Sequence, residues 1–342
     1  MRILAINHDY TVSGSTHALL NLAEHWRRSG HEVTGTAAQS ASGPIRDEYL
    51  RRGFPLAEVP SPGGFDVCVC NTILTAPQVL VLARAMPTIW WLHEAAVGID
   101  LLLQNPGWVA AFREAGAIVF PIEFLRDTVY RSFIYGLELS RICIVPNGIP
   151  PAGISPRAVD PNRTEIEIVS VGSIYPRKRH PDLIRAVAAL DHLPVRCTLI
   201  GQLHTLPEDC WTLMAARPGR FVLAGELSHA KTLAAVKAAD IFCLPSGSEV
   251  QPHSLLEAAM LERPPVLSNL PVYGGTWAHG HNCLMHPVAS VEMLTHELAL
   301  LATNPALRQR LGAAAQRTVA GFSEAAFFAR FDAVLASLTA VR

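Results

Sequence analysis

The chain has 342 residues, half of them apolar and 17% charged, with a formal net charge of −1. That length exceeds one typical domain and suits two of about 150 residues, each with a sizeable core. A near-neutral balance without any Lys/Arg block gives no electrostatic basis for a nucleic-acid partner.

The opening stretch, MRILAINHDY, lacks the long apolar run of a secretory signal. Asn71, Pro77 and Gln78 interrupt the uncharged run from Val67 to Ala83, which argues against a membrane span. Seven cysteines, an odd number without paired spacing, fit a reducing compartment. A soluble cytoplasmic protein is expected. Cys68 and Cys70 alternate along an apparent strand and read as core rather than as a metal site.

In chain order, short β-branched runs alternate with longer helical ones, the pattern of parallel sheets with crossover helices. RILAIN, EVTGTA, DVCVCN, TIWWL, AIVFP and ICIVP read as the strands of the first half. In HALLNLAEHWRRSG, Ala18, Leu19, Leu22 and Trp26 recur at helical spacing, and Gly30 suits the stop. IEFLRDTVYRSFIYG, with Phe124, Leu125, Tyr130 and Phe133, reads as a core-facing helix rather than a membrane-surface one. Pro150, Pro151, Pro156 and Pro161 then mark a linker. Alternation restarts with EIEIVSVG, RCTLIG, RFVLAG, DIFCLP and PPVLS, and SEAAFFARFDAVLASL closes as an amphipathic helix. The fold class expected is α/β, with two Rossmann-like doubly wound domains facing across a cleft. Residues 1–153 form the first, 154–164 the linker and 165–322 the second; 323–342 pack back on the first as a helix. Ligands should sit at the carboxyl ends of the strands.

Gly14 and Ser15, in NHDYTVSGSTHALL, precede a helix, where backbone amides hold an anion or Gly14 merely permits a tight turn. No G-x-G-x-x-G is present, which weighs against a dinucleotide cofactor. TIWWLHEAA places His93 and Glu94 at a strand end, with a structural role for His93 the competing reading. In VSVGSIYPRKRHPDLIRA, Arg177 and Lys178 come just before a helix that Pro181 opens, a suitable place for a diphosphate. Arg179 reads instead as a solvated basic turn.

PSGSEVQPHSLLEAAMLERPPV holds Glu249 and Glu257 either side of Pro252. If Pro252 opens the helix, Glu249 lies in a strand-end loop and Glu257 in the second turn. Helical side chains lean toward the amino end, so Glu257 points back past the amides of His253, Ser254 and Leu255. Carboxylates repel phosphate, so each glutamate must accept hydrogen bonds from neutral hydroxyls, a ribose on one side and a sugar on the other.

Glu249-x7-Glu257 resembles the E-x7-E motif of retaining glycosyltransferases of the GT-B fold, family 4 (glycosyl transferases group 1). VPNGIP, GSIYPRK, SGSTHALL, WLHE and GELSHAKTLAAVKAADIFCLPS are similar to that family's other segments, in its order and spacing. The resemblance implies that Glu257 binds the ribose of a nucleoside diphosphate sugar, UDP- or dTDP-linked, and that Lys178 with Arg177 neutralises the diphosphate. Amides of Gly14, Ser15, Gly172, Ser173, His253, Ser254 and Leu255 would add donors. Glu249 would contact the transferred sugar, and His93 would sit near its reacting face; His93, Glu249 and Lys178 are the catalytic candidates.

Departures bear on the donor more than on the reaction class. Gly172-Ser173 stands where many members have GR, Ser15 where a second glycine is common, and Val250 to His253 where GFG is usual. The Ala/Arg/Pro-rich composition also resembles actinomycete enzymes of antibiotic assembly, such as the avilamycin glycosyltransferases. The resemblance implies a metal-independent, retaining hexosyltransferase acting on a hydroxyl acceptor. It needs no cofactor and no metal, and no D-x-D occurs. Alternatives are an inverting GT-B transferase or epimerase, and a non-catalytic nucleotide-sugar-binding protein.

Overall fold

The computed structural model describes residues 1–40, 42–149 and 164–340. Except for Thr164, the segment read as a linker lies outside the described residues. Contacts divide the chain into two compact units, one of Met1–Gly148 with Glu324–Arg342 and one of Ile149–Ser323.

The first unit holds strands β1 (Arg2–Asn7), β2 (Glu32–Ala37), β3 (Val67–Asn71), β4 (Thr88–Trp91), β5 (Ala117–Phe120) and β6 (Ile142–Ile144). They form one sheet in the order β2-β1-β3-β4-β5-β6, parallel at every pairing. β3 and β4 are buried along their whole length, including Cys68 and Cys70, because crossover helices cover both faces of such a sheet. The helix Gly14–Arg28 buries Ala18, Leu19, Leu22 and Trp26 on one side. It ends at Ser29, with Gly30 at φ 88 in the left-handed region that glycine adopts without a Cβ clash. The stretch read as one helix near Phe124 is a π-turn, Leu125–Val129, followed by the short helix Arg131–Ile134, and it buries Leu125, Tyr130 and Ile134.

The last helix, Glu324–Thr339, completes the core of the first unit. Phe331 meets Trp91 with ring centroids 4.7 Å apart and Trp26 at 6.2 Å. The Trp26 indole N–H donates to the Asp332 carboxylate at 2.9 Å, so this buried ring keeps a partner for its polar atom.

The second unit repeats the plan with β7 (Ile166–Val171), β8 (Val195–Ile200), β9 (Phe221–Gly225), β10 (Ile241–Leu244), β11 (Pro265–Ser268) and β12 (Leu284–His286). Their order is β12-β11-β10-β7-β8-β9, again parallel. β12 was not foreseen. It is a three-residue edge strand whose Leu-Met-His carries no alternation long enough to signal it.

Each sheet has one point where the winding reverses, between β1 and β3 in the first unit and between β7 and β10 in the second. Loops leaving the two strands there diverge to opposite sides and open a crevice at their carboxyl ends. The strand-end candidates Gly172, Ser173 and Glu249 follow β7 and β10.

Candidate active site

The chain leaves β7 through Gly172, whose φ of 147 lies in the region reserved for glycine. A Cβ there would stand 3.3 Å from Lys178 Cε and 3.6 Å from its Nζ, so the bare glycine leaves room for the lysine stem. Lys178 ends the 3-10 turn Pro176–Lys178, and Arg179 follows in the left-handed region at φ 53, directing the chain into the helix His180–Ala188. Arg179 is not merely solvated, since its guanidinium donates to the buried Asp182 at 2.6 Å.

The loop leaving β10 is tied to this turn. Gly247 N–H donates to the Arg177 carbonyl at 2.8 Å, and Arg177 Nη1 donates to the Ser248 carbonyl at 2.5 Å. Lys178 Nζ reaches Glu249 Oε1 at 2.6 Å, and Arg177 lies 3.6 Å from Glu249 Oε2. The Lys178 and Glu249 side chains are only 12% and 7% exposed, which makes this an enclosed ion pair rather than a surface one. Arg177 is further fixed by the Tyr175 hydroxyl and ring. Two residues assigned from sequence to different parts of a donor therefore hold each other.

Glu249 lies in the loop and Glu257 within the helix His253–Met260, whose N-cap is Pro252. Of the three amides expected to face a ligand, that of Leu255 instead donates to the Pro252 carbonyl at 3.1 Å, closing the first turn. The Ser254 hydroxyl turns to the Val171 carbonyl at the end of β7, at 3.4 Å. Glu257 Oε1 meets His229 Nε2 at 2.7 Å, and this carboxylate raises the imidazole's pKa. Sequence reasoning missed His229. The only signal was its place at the start of the helix His229–Ala238, after β9 in the same sheet.

In the first unit, Gly14 and Ser15 do not precede the helix but open it. Ser13 is the N-cap, its hydroxyl accepting from Thr16 N–H in a reciprocal capping box. Asn71, at the end of β3, links the other candidates. Its Nδ2 donates to the Ser15 carbonyl at 2.9 Å and to Asn7 Oδ1 at 3.1 Å. A carbonyl can only accept, so the Asn71 atom facing it is nitrogen and Oδ1 faces His93. His93 Nε2 must then carry the proton it donates at 2.8 Å, while its ring packs on Trp91 at 4.3 Å. Asn71 and Asn7 were also missed, because a buried amide leaves no spacing signature.

Glu94 follows His93, and its Oε2 accepts from the backbone N–H of Ile73 and of His93. Burial pushes this carboxyl up to about 7, against the pull of those amides. Between its ordinary 4.5 and about 7, the folded protein keeps a proton that the unfolded chain has released. Stability contributed by Glu94 therefore falls as pH rises through that window. Glu94→Gln, which keeps an acceptor for both amides, should flatten this part of the profile in melting scans from pH 4.5 to 8. An unchanged slope would exclude Glu94 as its source.

A cavity of about 300 Å³ lined by Tyr175, Arg179, Asp182, Arg185 and Thr205 adjoins the Pro176–Lys178 turn, but Lys178, Glu249 and Glu257 do not line it. Among the described residues, no cluster of three or more His, Cys, Asp or Glu is placed to hold a metal ion. Nor is any helix among them long and apolar enough to cross a membrane.

Solved structures share this architecture across the whole chain. The lipopolysaccharide outer core galactosyltransferase WaaB in its apo form matches with a TM-score of 0.74 at 15% identity, covering 98% of this chain and 99% of that one. Sucrose-phosphate synthase from Thermosynechococcus elongatus matches at 0.76 and 15%, over 100% of both. Anabaena Alr3699/HepE, in complex with UDP and glucose, matches at 0.78 and 15%, over 98% of this chain and 100% of that one. The fold is GT-B. In sequence, residues 154–318, nearly all of the second unit, match the family Glycosyl transferases group 1. A comparison with curated proteins finds no match.

Proposed function

We propose that this chain transfers a hexosyl group from a nucleoside diphosphate sugar to a hydroxyl acceptor with retention of anomeric configuration. The second unit would take the donor and the first the acceptor. The observation that carries this reading is the Lys178–Glu249 pair at the β7/β10 reversal, inside the segment that matches the glycosyltransferase family. Lys178, with Arg177 behind it, would take the leaving diphosphate, and preorganised cations aimed at developing charge lower the barrier. Glu257 would accept the ribose hydroxyls and Glu249 a hydroxyl of the transferred sugar. His93, its tautomer set by Asn71, would lie near the sugar's reacting face. The acceptor hydroxyl would attack from the side the diphosphate leaves, with the leaving oxygen taking its proton, so no protein nucleophile is required. UDP is the first nucleotide to test, since Alr3699/HepE is solved with UDP and glucose.

Melting scans with UDP, dTDP, GDP and ADP, free and sugar-linked, test the donor class. A bound nucleotide raises the midpoint by mass action. Glu257→Ala should weaken the preferred nucleotide about 10- to 100-fold, the cost of losing hydrogen bonds to a charged acceptor. Unchanged affinity would exclude Glu257 as the ribose ligand. The anomeric configuration of the product, read by NMR, separates retention from inversion. A protein that binds the nucleotide sugar but turns over no donor would be a sensor and not a transferase.

A further inference from the structure

Tyr273 is 2% exposed, and its buried hydroxyl has no hydrogen-bond partner among the described residues. It ends the 3-10 turn Pro271–Tyr273, which follows β11, the strand paired with β10. The phenol thus stands one strand over from the loop that carries Glu249. The charges that bear on it are those of Glu249 and Arg177, with Cys283 the other titratable neighbour. Burial first, and then the Glu249 carboxylate, push its pKa up. A buried hydroxyl without a partner is costly, and the large majority of buried polar groups in native structures have one.

Glu249 is held in this state by Lys178, the cation proposed above for the diphosphate. A bound donor would draw Lys178 to its phosphates and leave an enclosed carboxylate in need of a donor. We propose that the Tyr273 hydroxyl is the group Glu249 then takes up, which makes Tyr273 the positioning residue that holds Glu249 against the transferred sugar. This rests on the nucleoside-diphosphate-sugar reading above. With UDP alone, Arg177, 3.6 Å from Glu249, can stay on the carboxylate, so the hydroxyl matters once a sugar is bound and Glu249 turns to it.

Calorimetric titrations of Tyr273→Phe with UDP, UDP-glucose, UDP-galactose and UDP-N-acetylglucosamine test it, alongside melting without ligand. The melting midpoint should be unchanged or higher, since no hydrogen bond is lost. Affinity for UDP should stay within about twofold, whereas the tightest sugar nucleotide should weaken about tenfold, as for a lost charge-assisted bond. Adding Tyr273→Phe to Glu249→Ala, which removes the acceptor, should cost nothing further. A lower unliganded midpoint, or equal losses for UDP and the sugar nucleotides, would assign Tyr273 a merely structural role and overturn the inference, as would unchanged affinities. Wild-type protein that binds none of these nucleotides would overturn the UDP reading itself, and this inference with it.

Discussion

Lys178→Ala should lower donor turnover by about 10²–10³-fold, the range seen when one preorganised donor to a developing negative charge is removed. The same change strands Glu249, whose side chain is 7% exposed and whose tight ionic contact is Lys178 Nζ at 2.6 Å. Breaking one side of an enclosed ion pair costs about 3–5 kcal/mol of stability, because the remaining charge stays desolvated. Arg177 at 3.6 Å offsets part of that. Denaturant unfolding measures the loss, and the double variant Lys178→Ala/Glu249→Gln separates the two effects. Neutralising the stranded carboxylate should restore most of the stability and none of the turnover. If Lys178→Ala turns over at the wild-type rate, the diphosphate assignment fails, whatever its stability.

Gly201→Ala should be damaging for a different reason. Gly201 follows β8 with φ 142, and a Cβ there would lie 2.3 Å from the Gly172 carbonyl oxygen and 2.9 Å from Ser173 N. Both are backbone atoms, so no side chain can swing aside. The clash falls on the turn that Gly172 opens toward Lys178. A loss of about 3 kcal/mol or more is expected, together with a weakened melting response to nucleotide. Gly219→Ala is the control, since Gly219 also has positive φ, at 83, but a Cβ there would meet nothing within 4 Å. It should cost only about 1 kcal/mol, the backbone part alone. Equal unfolding midpoints in urea would mean that the Gly201–Gly172 approach is not what matters.

Much of the architecture was legible because it is written in period and punctuation. Every run read as a strand is one, and the two sheets followed from their alternation with helices. β12 escaped because three residues carry no period. The separation of Glu249 from Glu257 was readable from Pro252, a residue that tolerates the helix start and little beyond it. The pairings were not readable. That Lys178 holds Glu249, that His229 meets Glu257 and that Asn71 joins Ser15 to His93 depends on which strand ends lie side by side. Sheet order fixes that, and sheet order is a long-range property. Nor was it readable that the Leu255 amide donates to the carbonyl of its own cap, Pro252, since closure of a helix's first turn leaves no spacing signal.

The first unit is built from two separate lengths of chain, Met1–Gly148 and Glu324–Arg342. Phe327, Phe331 and Asp332, from the second length, supply ring contacts to Trp91 and the partner of the Trp26 indole N–H. During synthesis the ribosome must therefore deliver the whole of Ile149–Ser323 before this core can close. The second unit, continuous in sequence, has no such wait. The amino-terminal half, although made first, would be the last to become native. Until then it would present Trp26 and Trp91 to solvent, a window in which chaperone binding or aggregation competes with folding.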